Sequence, residues 1–172
     1  MCGGVYTAKK SFPKKGKGKM RVITGTARGM VLRTLEGNDV RPTTDKVKES
    51  LFNIIQFDIE GRRVLDLFAG TGQLGIEALS RGAESAVFVD AREESCRLIR
   101  ENLKRTKLES GARVVRSDYL DYLNRCREQY NIIFLDPPYA EVFLENAIKR
   151  ITEIDILQSD GIIVAERPLG KE

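Results

Sequence analysis

Asp136-Pro137-Pro138-Tyr139, directly after the apolar run Asn131-Ile132-Ile133-Phe134-Leu135, is the segment whose residue types bear most closely on chemistry. Proline lacks a backbone N–H and holds a fixed φ, so two in succession stiffen the turn and strip it of donors. The groups left to interact are the Asp136 carboxylate and main-chain carbonyls, all of them acceptors. An exocyclic amine needs such acceptors. Its lone pair is delocalised into the ring, and hydrogen bonds accepted from its protons favour the pyramidal, nucleophilic form while holding it near an electrophile. Tyr139 adds an aromatic face on which a base drawn out of its stack can rest. Asp136, Pro137 and Tyr139 are therefore the candidate catalytic residues. Asp and Pro are also turn residues, so a plain strand-ending turn is the competing reading.

A second segment supplies a cofactor site. Arg63-Val64-Leu65-Asp66-Leu67-Phe68 reads as a buried parallel strand, and it runs into Ala69-Gly70-Thr71-Gly72-Gln73-Leu74-Gly75 before Ile76, Ala78 and Leu79 begin a helix. Glycines 70, 72 and 75 spell GxGxxG, and Asp90 ends the next strand, Ala86-Val87-Phe88-Val89, 24 residues after Asp66. By itself this spacing suits a dinucleotide, with Asp90 on a ribose diol. Asp66 discriminates. A carboxylate at the mouth of the loop would repel a pyrophosphate, whereas S-adenosylmethionine carries no phosphate and brings a sulfonium and an ammonium group. The expected cofactor is S-adenosylmethionine, with Asp66, Phe68, Gly70, Gly72 and Asp90 as candidate binding residues and the glycines allowing close backbone approach.

The surrounding elements must hold these two loops together. Strands are expected near 63–68, 85–89, 113–117, 131–135 and 161–165, alternating with helices near 74–81, 93–104, 119–127 and 142–151. That alternation predicts an α/β fold with a parallel sheet covered by helices on both faces. Ligands in such sheets bind beyond the carboxyl ends of the strands, where Asp66, Asp90, Asp118 and Asp136 all fall. Asp118 has two readings of equal weight, N-cap of the next helix or contact to an adenine. Before this core, Arg21–Thr24 and Met30–Leu35 suggest a small hairpin. Pro42 and Thr43-Thr44 then start a helix with Val47, Leu51, Ile54 and Ile55 along one face.

Composition narrows the chemistry. The 172 residues make one domain's worth of chain, and 41% hydrophobic with 31% charged is ordinary for a soluble globule. No signal peptide or membrane span is evident, so the cytoplasm is the default compartment. The three cysteines, Cys2, Cys96 and Cys126, form no CxxC pair, and there is no histidine, which argues against structural zinc, a metal site and hydrolase triads. A cytosine-C5 mechanism lacks its nucleophile, because neither Cys96 nor Cys126 follows a proline. Charge is uneven. Six of the 29 basic residues lie in residues 1–19, which hold no acid, so the other 23 face 25 acids and the body carries about −2 of the overall +4. Residues 1–19 are expected to be a basic, disordered tail or extra N-terminal residues. Any local basic patch for nucleic acid would draw on Arg21, Arg28, Arg33 and Arg41.

From Met20 to about Arg167 the chain resembles the bacterial small-subunit ribosomal RNA guanine-N2 methyltransferases, the RsmD family. Met20–Gly25 with Arg28-Gly29, Arg41–Asp45 with Glu49–Asn53, Asp66–Gly72 and Asp136–Tyr139 are similar to that family in order and spacing. The resemblance implies a Rossmann-like class I S-adenosylmethionine-dependent methyltransferase fold in one domain over residues 20–172, with an N-terminal hairpin and helix over 20–60 and the core over 61–172. It implies the cofactor on the 66–75 loop, Asp90 on its ribose, Asp118 near its adenine, and Arg41 and Thr43 close to cofactor and RNA. It implies target guanine at Asp136–Tyr139. The partner would be ribosomal RNA within an assembling small subunit, with no membrane, no metal and a monomeric enzyme. Family members usually continue into a closing antiparallel pair after the fifth core strand. This chain stops at Leu169-Gly170-Lys171-Glu172, so an exposed sheet edge is expected there. An adenine-N6 methyltransferase and, from another class, a nicotinamide-dependent oxidoreductase are the alternatives.

Overall fold

The computed structural model of the chain describes residues 5–10, 19–35, 45–138 and 140–168. In chain order the elements are β1 (Val5–Lys10), α1 (Asp45–Ile54), β2 (Arg63–Asp66), α2 (Gln73–Ser80), β3 (Ser85–Asp90), α3 (Glu93–Thr106), β4 (Ala112–Arg116), α4 (Tyr119–Arg125), β5 (Tyr130–Leu135), α5 (Ala140–Ile154) and β6 (Leu157–Pro168). They form one parallel sheet in the order β1-β6-β5-β2-β3-β4. The order turns at β2, with later strands added on either side of it. Such a reversal opens a crevice for ligands at the carboxyl edge of the sheet.

Two-residue alternation along the strands divides the core into two layers. Val64, Phe88, Ile132, Phe134 and Val164 pack beneath α1, α2 and α3, while Leu65, Val87, Ile133, Leu135 and Ala165 pack against α4 and α5. Local signals agree with this burial. In α3 Glu93 and Glu94 occupy the first turn and Lys104 and Arg105 the last, complementing the helix dipole, while Leu98, Ile99 and Leu103 turn inward.

The N-terminal hairpin is shorter than expected. One antiparallel bridge, Arg21 with Val31, is flanked by Val22 N–H to Met30 O and Leu32 N–H to Met20 O, and a turn fills the space between. Its backbone is satisfied by α2 and α3 instead of by a longer ladder. Glu77, wholly buried, accepts from the N–H groups of Ile23 at 2.8 Å and Thr24 at 3.0 Å, and Ser80 Oγ accepts from Ala27 N–H at 2.9 Å. Gly25 seals the contact: at φ +87° a Cβ there would stand 1.8 Å from the Ser80 carbonyl oxygen. Lys48 of α1 joins the same cluster, 3.9 Å from Glu77 and donating to Arg21 O. Burial pushes its ammonium pKa down, and the Glu77 charge opposes that shift.

Three expectations need correction. Residues 5–10 are not a disordered tail but β1, paired in parallel with β6 from Val5 opposite Ile163 to Lys10 opposite Pro168. The same pairing covers the outer edge of β6 that was expected to be exposed. The physical reason is that an edge strand leaves a row of unpaired N–H and C=O groups, and Val5-Tyr6-Thr7 have strand-forming side chains. On α1 the inward face is Lys48, Leu51 and Phe52, with Ile55 just beyond, whereas Ile54 is 62% exposed. Lys48 occupies the place an apolar residue would normally hold because it neutralises buried Glu77. Among the described residues no helix is long and apolar enough to cross a membrane.

Candidate active site

The sheet register brings the two chemical loops to one edge. β2 and β5 are neighbours with Asp66 opposite Phe134, so the glycine loop and the Asp136 turn leave the sheet side by side. Gly70 and Gly72 take positive φ, +56° and +79°, and a Cβ at Gly70 would meet nothing within 4 Å, so the loop presents open backbone. Such a bare loop suits close approach of a cofactor. The third glycine has a different task. A Cβ on Gly75 would sit 2.3 Å from the Phe88 ring, so this position lets α2 lie down on β3.

Carboxylates hold the loop from below. Asp90, at the end of β3, accepts from Gly70 N–H through one oxygen and from Arg92 N–H through the other, each at 2.9 Å. A carboxylate offers about four acceptor positions, so these bonds leave capacity for a ribose diol and fix the oxygens in place. Asp66 lies elsewhere than expected. It is 1% exposed and accepts from Gly75 N–H at 3.1 Å, beneath the loop and not at its mouth. Burial, aided by the neighbouring Asp90 charge, pushes its pKa up to about 7 against the opposing Gly75 hydrogen bond. Its role is to tie strand to helix, and the argument that its charge greets the cofactor loses force.

Asp118 caps α4, its Oδ1 accepting from Leu120 N–H at 2.9 Å, which is the first of its two readings; its side chain is solvent-exposed. Next to it, Tyr119 links Phe68 and Phe143 in an aromatic chain, with ring centroids 5.0 and 5.7 Å apart. Phe68 follows β2 and Phe143 stands on α5, so this chain joins the cofactor side to the helix after the Asp136 turn. Tyr119 and Phe143 were missed in the sequence; an aromatic directly after a strand-end Asp was the available signal.

Asp136 is half-buried at the end of β5, Pro137 is buried and Pro138 exposed. Asp136 and Glu166, the latter near the end of β6, line one cleft with Val47 and Leu51 of α1, Leu74 of α2 and Val164. Glu166 was not among the expected site residues. Arg41, Thr43 and Tyr139 lie outside the described residues. Of the four expected patch arginines, Arg21 pairs with Asp45 at 2.8 Å and Arg33 with Glu101 at 2.9 Å, which reduces their free charge.

A second tie reaches the glycine loop from the hairpin. Asn102 of α3 donates to Thr71 O at 3.0 Å and to Arg33 O at 3.1 Å, and accepts from Arg33 N–H at 2.8 Å. Thr71 also contacts Met20, Oγ1 to Sδ at 3.3 Å.

The family model described as Conserved hypothetical protein 95 matches residues 20–172. The chain is 47% identical over 150 residues to the Bacillus subtilis protein named "Putative rRNA methyltransferase YlbH", covering 86% of this chain and 82% of that one. It is 37% identical over 166 residues to the ribosomal RNA small subunit methyltransferase D of Haemophilus influenzae, covering 95% and 86%. The chain belongs to the RsmD family.

Solved structures extend the match to three dimensions. yhhF of Escherichia coli superposes with a TM-score of 0.77 at 34% identity, over 86% of this chain and 80% of that one. SMU.776, solved in complex with SAH, gives 0.59 at 26% identity over 69% and 34%. The RsmD-family chain thus has the Rossmann-like class I methyltransferase fold, and the nicotinamide reading of its glycine loop is set aside.

Proposed function

We propose that this protein transfers a methyl group from S-adenosylmethionine to the exocyclic N2 of a guanine in small-subunit ribosomal RNA. The observation that carries the reading is the adjacency of two loops on neighbouring strands, a bare glycine loop after β2 and the donor-poor Asp136-Pro137-Pro138 turn after β5. Family membership and relatives named as ribosomal RNA methyltransferases support the same substrate class. When bound, the cofactor supplies a methyl carbon activated by its sulfonium. Gly70 and Gly72 offer it backbone, Asp90 its ribose contacts, and Arg41, Thr43 and Asp118 are proposed to complete the site.

The remaining work belongs to the turn. Asp136 and the main-chain carbonyls around Pro137 accept from the amine protons and aim its lone pair at the methyl carbon. Tyr139 is proposed to stack on the target base, which must be drawn from its neighbours at a cost of about a few kcal/mol. No histidine is needed, since the donor is already activated and the proton can pass to a carboxylate or to water. With a body charge of about −2, general attraction to RNA is weak, so a partly assembled subunit presenting the guanine in an exposed loop is the favoured substrate.

Labelled methyl transfer into undermethylated small subunits and into the same RNA stripped of protein, followed by nucleoside mass spectrometry, tests the reading. N2-methylguanosine formed faster on the subunit is expected. N6-methyladenosine would favour the adenine alternative, and equal rates on both substrates would remove the assembly requirement.

A further inference from the structure

We propose that Glu166 is a specificity-determining residue that reads the edge of the target base and selects guanine over adenine. This rests on the reaction proposed above. Along β5 and β6, residues 132 and 134 and residues 162 and 164 face α1 and α2, and the two-residue period carries Asp136 and Glu166 to that same side. Leu135 pairs with Ala165, so the next residue on each strand is the acidic one. The two carboxylates thus stand at adjacent strand ends and line one cleft.

The walls of that cleft suit a flat heterocycle. Val47 and Leu51 from α1, Leu74 from α2 and Val164 from β6 are apolar, and Leu74 lies two residues beyond Gly72 of the glycine loop. A base in this cleft therefore has one edge beside the methyl donor and its faces against hydrocarbon. Guanine presents N1–H next to its N2 amine, three donor protons along one edge. Adenine presents an amine next to N1, which is an acceptor. Asp136 with its neighbouring carbonyls takes the amine protons, and Glu166 takes N1–H.

Set against adenine, the same carboxylate meets a lone pair in a desolvated cleft, and neither group has a partner. A site built to bond a substrate N–H rejects an analogue lacking it by about 10⁴-fold or more. Asp136 alone offers no such choice, because both bases carry an exocyclic amine.

Glu166→Gln keeps the side-chain volume and removes the charge. Methyl transfer to undermethylated small subunits is measured with nucleoside mass spectrometry, beside S-adenosylmethionine affinity by calorimetry and the melting temperature. The expected result is at least about a 100-fold fall in N2-methylguanosine formation, the size seen when one aligned transition-state partner is lost, with donor affinity unchanged. Glu166→Asp retains the charge and should keep more activity than the isosteric Gln variant, an order that a packing role would reverse. Guanine methylation by Glu166→Gln at the wild-type rate would overturn the proposal, as would parallel loss of rate and donor affinity. An Asp variant no better than Gln would overturn it too. If the wild-type protein forms no N2-methylguanosine, the reaction itself is refuted and this reading with it; if it does, the variants judge Glu166 alone.

Discussion

At the glycine loop after β2 the carboxylates point at the protein's own backbone N–H groups, whereas beyond β5 and β6 they line an apolar cleft. Asp66 holds Gly75, and Asp90 holds Gly70 and Arg92, so the loop's shape is set before any cofactor arrives. Asn102 and Met20 brace Thr71 from the hairpin side. In the cleft, Asp136 and Glu166 stand beside Leu74, Leu51 and Val164. The contrast teaches a division of labour. A donor common to every turnover is met by a preorganised backbone, while the acceptor is met by side chains whose pattern of charge can discriminate.

The sharpest break between the two regions comes from Asp136→Ala. Turnover should fall about 10³-fold, equivalent to about 4 kcal/mol of transition-state stabilisation, with S-adenosylmethionine affinity within about twofold of wild type. Single-turnover rates and calorimetry check this, and loss of both together would place Asp136 in the cofactor site. The converse is Asp90→Ala. Loss of charge-assisted hydrogen bonds worth about 1.5 to 3 kcal/mol should weaken S-adenosylmethionine binding about ten- to a hundredfold. Unchanged affinity in a folded variant would remove Asp90 from the site.

Asp66 gives a pH signature confined to the cofactor side. Its folded pKa of about 7 lies above the ordinary 3.8, so the native state keeps a proton that the unfolded chain has lost between those values. The stabilisation is complete below pH 3.8 and is lost as pH rises through about 7. Asp66→Asn should therefore gain stability relative to wild type across that window, by at most about 1.4 kcal/mol per pH unit, and track it above. Urea melts at several pH values measure the difference, and a constant offset would mean Asp66 ionises normally. The smallest effect is expected at the aromatic chain that joins the two regions. Phe143→Ala removes an edge contact on Tyr119 worth about 0.5 to 1.5 kcal/mol and should lower stability by about that amount, with little change in donor affinity. A large affinity loss would mean the chain stiffens the cofactor side as well.

Much of the architecture was legible in the residue pattern. Strands β2 to β5 and helices α2 to α4 fall within a few residues of the positions that apolar periodicity predicts, because short parallel strands buried on both faces must be continuously apolar. The glycine loop and the Asp-Pro-Pro turn were equally plain, since fixed φ, missing donors and absent Cβ atoms are properties of the residue types themselves. Direction and depth were not. Period alone places Asp66 on a face, but only packing of α2 onto Phe88 puts its carboxylate under the loop, where burial raises its pKa. Ile54 and Lys48 exchange their expected places because Glu77, 29 residues after Lys48, requires a buried cation. β1 depended on an unpaired strand edge that no local window contains. Glu166 was invisible for the same reason: its neighbour Asp136 is 30 residues away in the chain and one strand away in the sheet, and only the parallel register of β5 and β6 brings the two carboxylates into one cleft.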